Sequence, residues 1–191
     1  MSEEYRKIPT VALRGMTILP GMVAHFDVSR NKSIKAIENA MVQDQMVFLV
    51  TQRNINKEDP VMEDLYSIGV LAVIKQVIKL QNNVVRVLIE GEQRGRLAEL
   101  SVEECLFAEV EILKEEEEEL PDNIQEAMMR GVKETFGRYC VLNPKPGKEL
   151  ARQIQDIQDL GRLLDDIGNN LPVPFEEKQR ILEAGTTQER Y

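Results

Sequence analysis

Gly69-Val70-Leu71-Ala72-Val73-Ile74-Lys75-Gln76-Val77-Ile78-Lys79-Leu80-Gln81-Asn82-Asn83-Val84-Val85-Arg86-Val87-Leu88-Ile89-Glu90 is the stretch that decides the fold of the amino-terminal half. Two runs rich in β-branched residues flank a short polar segment, the pattern of two strands around a tight turn. Asparagine tolerates the left-handed backbone region better than other non-glycine residues, so Gln81-Asn82-Asn83 can supply the turn. Gly69 to Leu80 and Val84 to Glu90 are therefore expected to form a hairpin.

Working outward, similar short apolar runs occur at Ile8 to Leu13, Met22 to Val28, Met46 to Thr51, Arg94 to Leu100 and Leu106 to Leu113. Gly91 is expected to close the strand that begins at Val84, with a β-turn around Gly91 and Gly95 before the next strand. One helix interrupts the series: Ser29 is a candidate N-cap, and Ile34, Ile37, Ala40 and Met41 recur at helical spacing. Many strands, hairpin turns and a single helix point to a mainly antiparallel, partly closed β-barrel over residues 1–113, with the helix plugging one opening.

Lys114 to Glu119 are six consecutive charges with no apolar face to bury, so residues 114–120 read as a charged linker. Beyond it the period becomes helical. Ile124, Met128, Val132, Phe136 and Tyr139 or Cys140 form one stripe, which ends before Asn143-Pro144-Lys145-Pro146-Gly147. Leu150, Ile154 and Ile157 form a second; Leu160, Leu163, Leu164 and Ile167 form a third, with a break near Asp159 and Gly161. After Leu171-Pro172-Val173-Pro174, a short helix carries Phe175, Ile181 and Leu182, with Pro174 near its first turn, where a missing N–H costs nothing. The expected class is α+β in two units, a small barrel followed by an all-helical bundle over residues 121–191.

The formal charge of -9 and a pI near 4.9 oppose nucleic-acid phosphates and anionic lipid headgroups. Neither half carries a surplus of lysine and arginine over acidic residues, so a basic nucleic-acid footprint is lacking. No apolar run approaches the roughly 18–20 residues of a membrane span, and Met1-Ser2-Glu3-Glu4-Tyr5-Arg6 has no signal-peptide character. The cytoplasm is the expected location. Cys105 and Cys140 fall in different halves, too few for a disulfide framework, and are expected to be reduced.

An enzyme needs convergent reactive groups, and few are visible. Gly147-Lys148 is followed by Glu149 rather than Ser or Thr, with no upstream glycine to complete a phosphate loop. The serines, Ser2, Ser29, Ser33, Ser67 and Ser101, lie in no nucleophile elbow. His25, the single histidine, falls inside a predicted strand and is expected to face solvent or the barrel mouth. One histidine and two distant cysteines do not make a structural metal site. The acidic run Glu115 to Glu119 reads as solvated linker rather than a cation site.

Several segments, in order along the chain, resemble the amino-terminal domain of the bacterial Lon protease family. They are Ile8-Pro9-Thr10-Val11-Ala12-Leu13-Arg14, Leu19-Pro20-Gly21-Met22-Val23, Arg30 with Lys32-Ser33-Ile34, and Glu63-Asp64-Leu65-Tyr66-Ser67-Ile68-Gly69-Val70. The most specific is Val87-Leu88-Ile89-Glu90-Gly91-Glu92-Gln93-Arg94-Gly95-Arg96, and Phe175-Glu176-Glu177-Lys178-Gln179-Arg180-Ile181-Leu182-Glu183 is similar to the family's last helix before a long connector. His25 departs from the family, where proline is common, as do Pro172 and Pro174 at the helix entry.

The resemblance implies a six-stranded PUA-like barrel joined to a helical bundle. It implies a non-catalytic module of an ATP-dependent, homohexameric serine protease that selects unfolded, misfolded or degron-bearing proteins and supports ring assembly. ATP, magnesium and the serine-lysine pair belong to the family's other domains, so no cofactor is expected here. The loop Arg14 to Met22 carries Met16, Ile18, Leu19 and Met22 beside two glycines, a composition suited to adaptable apolar contact with substrate; alternatively these residues cap the barrel core. Arg30, Asn31 and Lys32 at the helix start are expected to be exposed, either to meet polar parts of a substrate or as a solvated helix start. A free-standing binding or self-association module is the alternative role.

Overall fold

A computed structural model describes residues 4–114, 120–143 and 147–191, with the side chains of residues 147 and 148 left aside. The hairpin expected from the opening stretch is present: β4 (Ile68–Lys79) runs antiparallel to β5 (Val85–Val102). Asn82 and Asn83 take φ of 58° and 57°, two successive left-handed residues whose twist matches that of the flanking strands. The Leu80 N–H donates to the Val84 carbonyl at 2.8 Å and closes the turn.

With β1 (Tyr5–Leu13), β2 (Val23–Val28), β3 (Met46–Thr51) and β6 (Leu106–Ile112), these strands form one sheet in the order β2-β5-β4-β3-β1-β6. Pairing of β5 with β6 closes it into a barrel. Every pair is antiparallel except β1 with β3.

The expected break at Gly91 and Gly95 is corrected: β5 runs through both glycines without a turn. Its first half borders β2 and its second half borders β6, so one strand serves two neighbours. Between the Leu71–Gln93 and Ala72–Gly91 pairs the register shifts and leaves Glu92 as an extra residue, a bulge that bends the strand. The glycines permit close approach instead. A Cβ on Gly91 would stand 2.6 Å from the Leu19 carbonyl oxygen, and one on Gly95 would stand 2.5 Å from Val110 Cγ1.

Adjacent residues of the central strands enter different cores. Phe48, Val50 and Leu71 pack with Ile8, Ala12 and Val110, whereas Val47, Leu49, Val70 and Ala72 pack with Val11 and Leu13. The second core is covered by α1 (Asn31–Val42), which buries Ser33, Ala36, Ile37 and Ala40. A sheet buried on both faces needs continuous apolar runs rather than alternation, which is what the opening stretch displays. Ser29 is not the cap: Arg30 holds the N-cap position and no side chain caps the helix, because helical geometry begins one residue later than a serine cap there requires.

The second half contains α2 (Asp122–Leu142), α3 (Gly147–Asp156), α4 (Leu160–Asn170), α5 (Phe175–Glu183) and α6 (Thr187–Arg190). Phe136, Ile154, Leu160, Leu163 and Leu164 form its core, and Met128, Val132, Leu150, Ile157 and Ile167 pack against it. Ile124 is an exception within the first stripe and remains exposed. Asp159 marks the α3–α4 break by capping α4, its carboxylate accepting the Arg162 N–H at 2.7 Å. The charged run 115–119 and residues 144–146 lie outside the described residues.

Helix α5 reaches across to the barrel. Leu182 is buried in the barrel core and Ile181 packs against it, rather than in the core of α2, α3 and α4. Gln179, 1% exposed, donates to the Ile68 carbonyl at 3.0 Å. Arg94 on β5 is held by Asp165 on α4.

Candidate functional site

The loop from Arg14 to Met22 leaves β1 and enters β2, with Gly15 at φ 62° and Gly21 at φ 75°. Those left-handed positions turn the chain where a side chain would strain it. Between them the loop dives inward. Ile18 and Leu19 are 2% and 0% exposed and belong to the barrel core. The expectation that they offer an exposed apolar contact is corrected: the short loop must cover the barrel end, and burying two branched side chains there contributes about 1.5–3 kcal/mol each. Met16 and Met22 are half-buried against the same core.

Thr17 fixes this conformation. Its hydroxyl lies 3.0 Å from the Thr51 hydroxyl and donates within reach of the Phe175 carbonyl at 3.2 Å. Thr51 in turn donates to the Met16 carbonyl at 2.8 Å. Leu19 is held between strand and helix, its carbonyl against Gly91 and its Cδ1 3.0 Å from the position of a Cβ on Gly168.

Arg30, expected to be exposed, is instead half-buried, because its guanidinium reaches back from the start of α1 to the strands. Its guanidinium donates to Gln52 Oε1 at 2.9 Å, to the Glu58 carbonyl at 3.0 Å, and to the Ala12 carbonyl. Burial holds its pKa below the usual guanidinium range, and the Arg14 charge adds to the effect. Asn31 is exposed and accepts from Asn83 Nδ2 at 3.5 Å. Lys32 pairs with Asp59 at 2.8 Å across a largely solvated surface.

Met16 and Arg30 share a groove of 430 Å³. Consecutive residues form its two walls: Val11 to Arg14 on one side, and His25 to Arg30 on the other. Successive side chains of a strand point to opposite faces, so walls built from consecutive residues are strand edges. Ser33 and Arg86 complete the lining. His25 is exposed, as expected from its place between Ala24 and Phe26. Arg86 holds Asp27 through two hydrogen bonds at 2.7 and 2.9 Å and keeps its carboxyl below the usual range. Ile18, Leu19, Met22, Asn31 and Lys32 do not line this groove.

Sequence reasoning missed Arg14, His25, Asp27 and Arg86 as a group, because β1, β2 and β5 meet only in the fold. It also missed Thr17, although a polar residue between Met16 and Ile18 is the pattern of a buried hydrogen-bonded group, and Asp165, which beside Asp166 carries no such signal.

A larger cleft of 690 Å³ lies between β5, α4 and α5 and is lined by charges such as Arg94, Asp165, Asp166 and Glu183. A shallower apolar depression of 490 Å³ lies on the helical half, against Val132, Phe136, Leu164 and Tyr191. Cys105 is buried, which pushes its thiol pKa up; neither it nor Cys140 forms a disulfide. Among the described residues no cluster of histidine, cysteine, aspartate or glutamate could hold a metal, and no helix is long and apolar enough to cross a membrane.

Residues 7–191 match the family model of the ATP-dependent protease La (LON) substrate-binding domain. The chain belongs to this family. Among similar sequences, the Lon protease of Brevibacillus choshinensis is 43% identical over 186 residues, which is 97% of this chain and 24% of that protein. Lon protease 1 of Bacillus subtilis is 36% identical over 191 residues, again 24% of its length. The chain thus spans about a quarter of the Lon relatives it matches. The solved amino-terminal domain of the Mycobacterium avium complex Lon protease shares the fold with a TM-score of 0.77 at 20% identity, covering 97% of this chain and 94% of that one. The Lon amino-terminal domain protein from Xanthomonas campestris does so with a TM-score of 0.65 at 12% identity and the same coverages. The barrel and the helices after it are therefore the Lon amino-terminal architecture.

Proposed function

We propose that this chain is the polypeptide-capturing module of a Lon-type ATP-dependent protease in the cytosol. It holds unfolded or degron-bearing proteins and contributes to assembly of a homohexamer. Peptide-bond hydrolysis and ATP turnover, with magnesium and the serine-lysine pair, belong to other domains of such a protein, and this chain needs no cofactor. The observation that carries the proposal is the match of residues 7–191 to a substrate-binding family. The groove between β1 and β2 supports it, because it offers backbone and mixed side-chain contacts that need no particular partner sequence.

Single-site affinity need only be weak. Several copies on one ring raise the effective concentration, so a Kd of about micromolar to millimolar suffices to retain a client. The test is fluorescence anisotropy of a labelled protein kept unfolded by reduction and alkylation, against the same protein in its native state. Saturable binding of the unfolded form alone is expected. Equal binding of both forms, or of neither up to millimolar chain, overturns the proposal.

A self-association role for the helical half is favoured by Val141 and Leu142, which are 83% and 80% exposed at the end of α2. Sedimentation over a concentration series tests it. A monomer at every concentration removes this role for the isolated chain.

A further inference from the structure

Among the described residues β2 pairs only with β5, so its other edge is open. The Met22 carbonyl accepts from the Gly91 N–H at 2.9 Å, in register with the Ala24–Ile89 and Phe26–Val87 pairs. Backbone groups alternate in direction along a strand, so Ala24, Phe26 and Val28 turn their amides toward β5. Those of Val23, His25 and Asp27 point to the open side. On the facing wall, β6 pairs with β1 only as far as Thr10. The Leu13 carbonyl accepts from the Gln52 N–H at 2.8 Å, which turns the intervening Ala12 carbonyl into the groove, where Arg30 caps it. The β1 edge is thus partly closed by a side chain, whereas no described hydrogen bond covers the β2 edge.

Charge selects among occupants. Among the residues lining the groove, Arg14, Arg30 and Arg86 stand against one carboxylate, Asp27, which Arg86 engages, while Glu58 and Asp59 act on Arg30 from outside the lining. The groove is therefore a local positive site on a chain of formal charge -9. A second copy of the chain would bring that net charge against itself and Arg14 toward another arginine, and both oppose edge-to-edge pairing.

We propose that the open edge of β2 accepts an extended client segment as an added strand, with an acidic side chain of that segment placed against Arg14. Main-chain hydrogen bonds give such pairing its tolerance of sequence, and the side-chain pocket gives it preference. The proposal rests on the polypeptide-binding role above and specifies its mode.

The probe is a labelled acetyl-Thr-Val-Glu-Val-Thr-Val-amide peptide, compared with its lysine-centred counterpart by anisotropy. Two further forms carry N-methyl groups on one or the other alternating set of amides. The glutamate peptide is expected to bind better, and one N-methylated set to weaken binding by about tenfold or more while the other does not. His25→Pro removes one outward N–H, a change an edge strand accommodates, and should weaken the peptide without lowering the melting temperature. Arg14→Glu, at an exposed position, should invert the glutamate–lysine preference. Equal binding of both N-methylated sets, or unchanged binding by His25→Pro, overturns strand addition. If the unfolded protein still binds in that case, the capture role stands and only its mode falls; if neither probe binds, both fall. Dimerisation abolished by His25→Pro would assign the edge to a second copy and overturn the proposed occupant.

Discussion

Arg94 on β5 grips Asp165 on α4 with two hydrogen bonds, Nη1 to Oδ2 at 2.8 Å and Nη2 to Oδ1 at 2.6 Å, joining residues 71 apart in sequence. Both side chains are almost completely buried, and Arg190 adds a third contact to the same carboxylate at 3.1 Å. Taking these charges out of water is costly, so their value lies in specifying where the helical half docks rather than in net stability.

Asp165→Asn should be severe for that reason, since it removes the buried charge that both Arg94 and Arg190 hold. A loss of about 3–5 kcal/mol is expected in urea unfolding. Asp27→Asn, which breaks the exposed pair with Arg86, should cost far less, because solvent screens that pair. Equal effects of the two would refute the assignment of Arg94 and Asp165 as the docking contact.

Within the Arg14 to Met22 loop, burial separates structural from accessible residues. Leu19→Ala, at a site with no exposed surface, should destabilise by about 2–5 kcal/mol. Met16→Ser, half-buried at the groove, should cost about 1 kcal/mol or less. Thermal melts check both, and binding measurements are interpretable only for the variant that stays folded.

Glycines divide in the same way. Gly95→Ala places a methyl 2.5 Å from Val110 and 2.8 Å from Leu71, and should cost about 1–3 kcal/mol by overpacking. Gly137→Ala meets nothing within 4 Å inside α2 and should add about 0.5–1 kcal/mol. Opposite signs in denaturant midpoints are the expected outcome.

Asp166 carries a prediction in pH. Burial raises its pKa above the ordinary carboxylate value, so the folded state holds this proton more tightly than the unfolded state. Its contribution is therefore lost as pH rises through the carboxylate range and appears as a cost at neutral pH. Asp166→Asn should melt higher than the parent at pH 7, with the gap closing toward pH 3. A gap that widens on acidification contradicts this sign.

The hairpin around Asn82 and Asn83 was legible because a backbone requirement, two left-handed residues, is met by local chemistry. The stripes of α2, α3 and α4 were legible because each helix buries one face. The continuity of β5 was not. Gly91 and Gly95 look like turn residues locally, and only the proximity of Leu19 and Val110 shows that they are places where no Cβ fits. The composition of the Arg14 to Met22 loop fits exposed and core-capping residues alike, and only tertiary burial places Ile18 and Leu19 in the core.

By itself, then, the sequence determined the α+β class, the hairpin and the helical periods, since propensity, periodicity and turn geometry act over a few neighbouring residues; the Lon resemblance rests separately on ordered segments such as Val87 to Arg96. Tertiary structure alone decided that Leu182 belongs to the barrel, that Arg94 pairs with Asp165, and that β1 and β2 leave an edge-lined groove. Such contacts join residues tens of positions apart, and their energies depend on desolvation and distance, which no local pattern encodes.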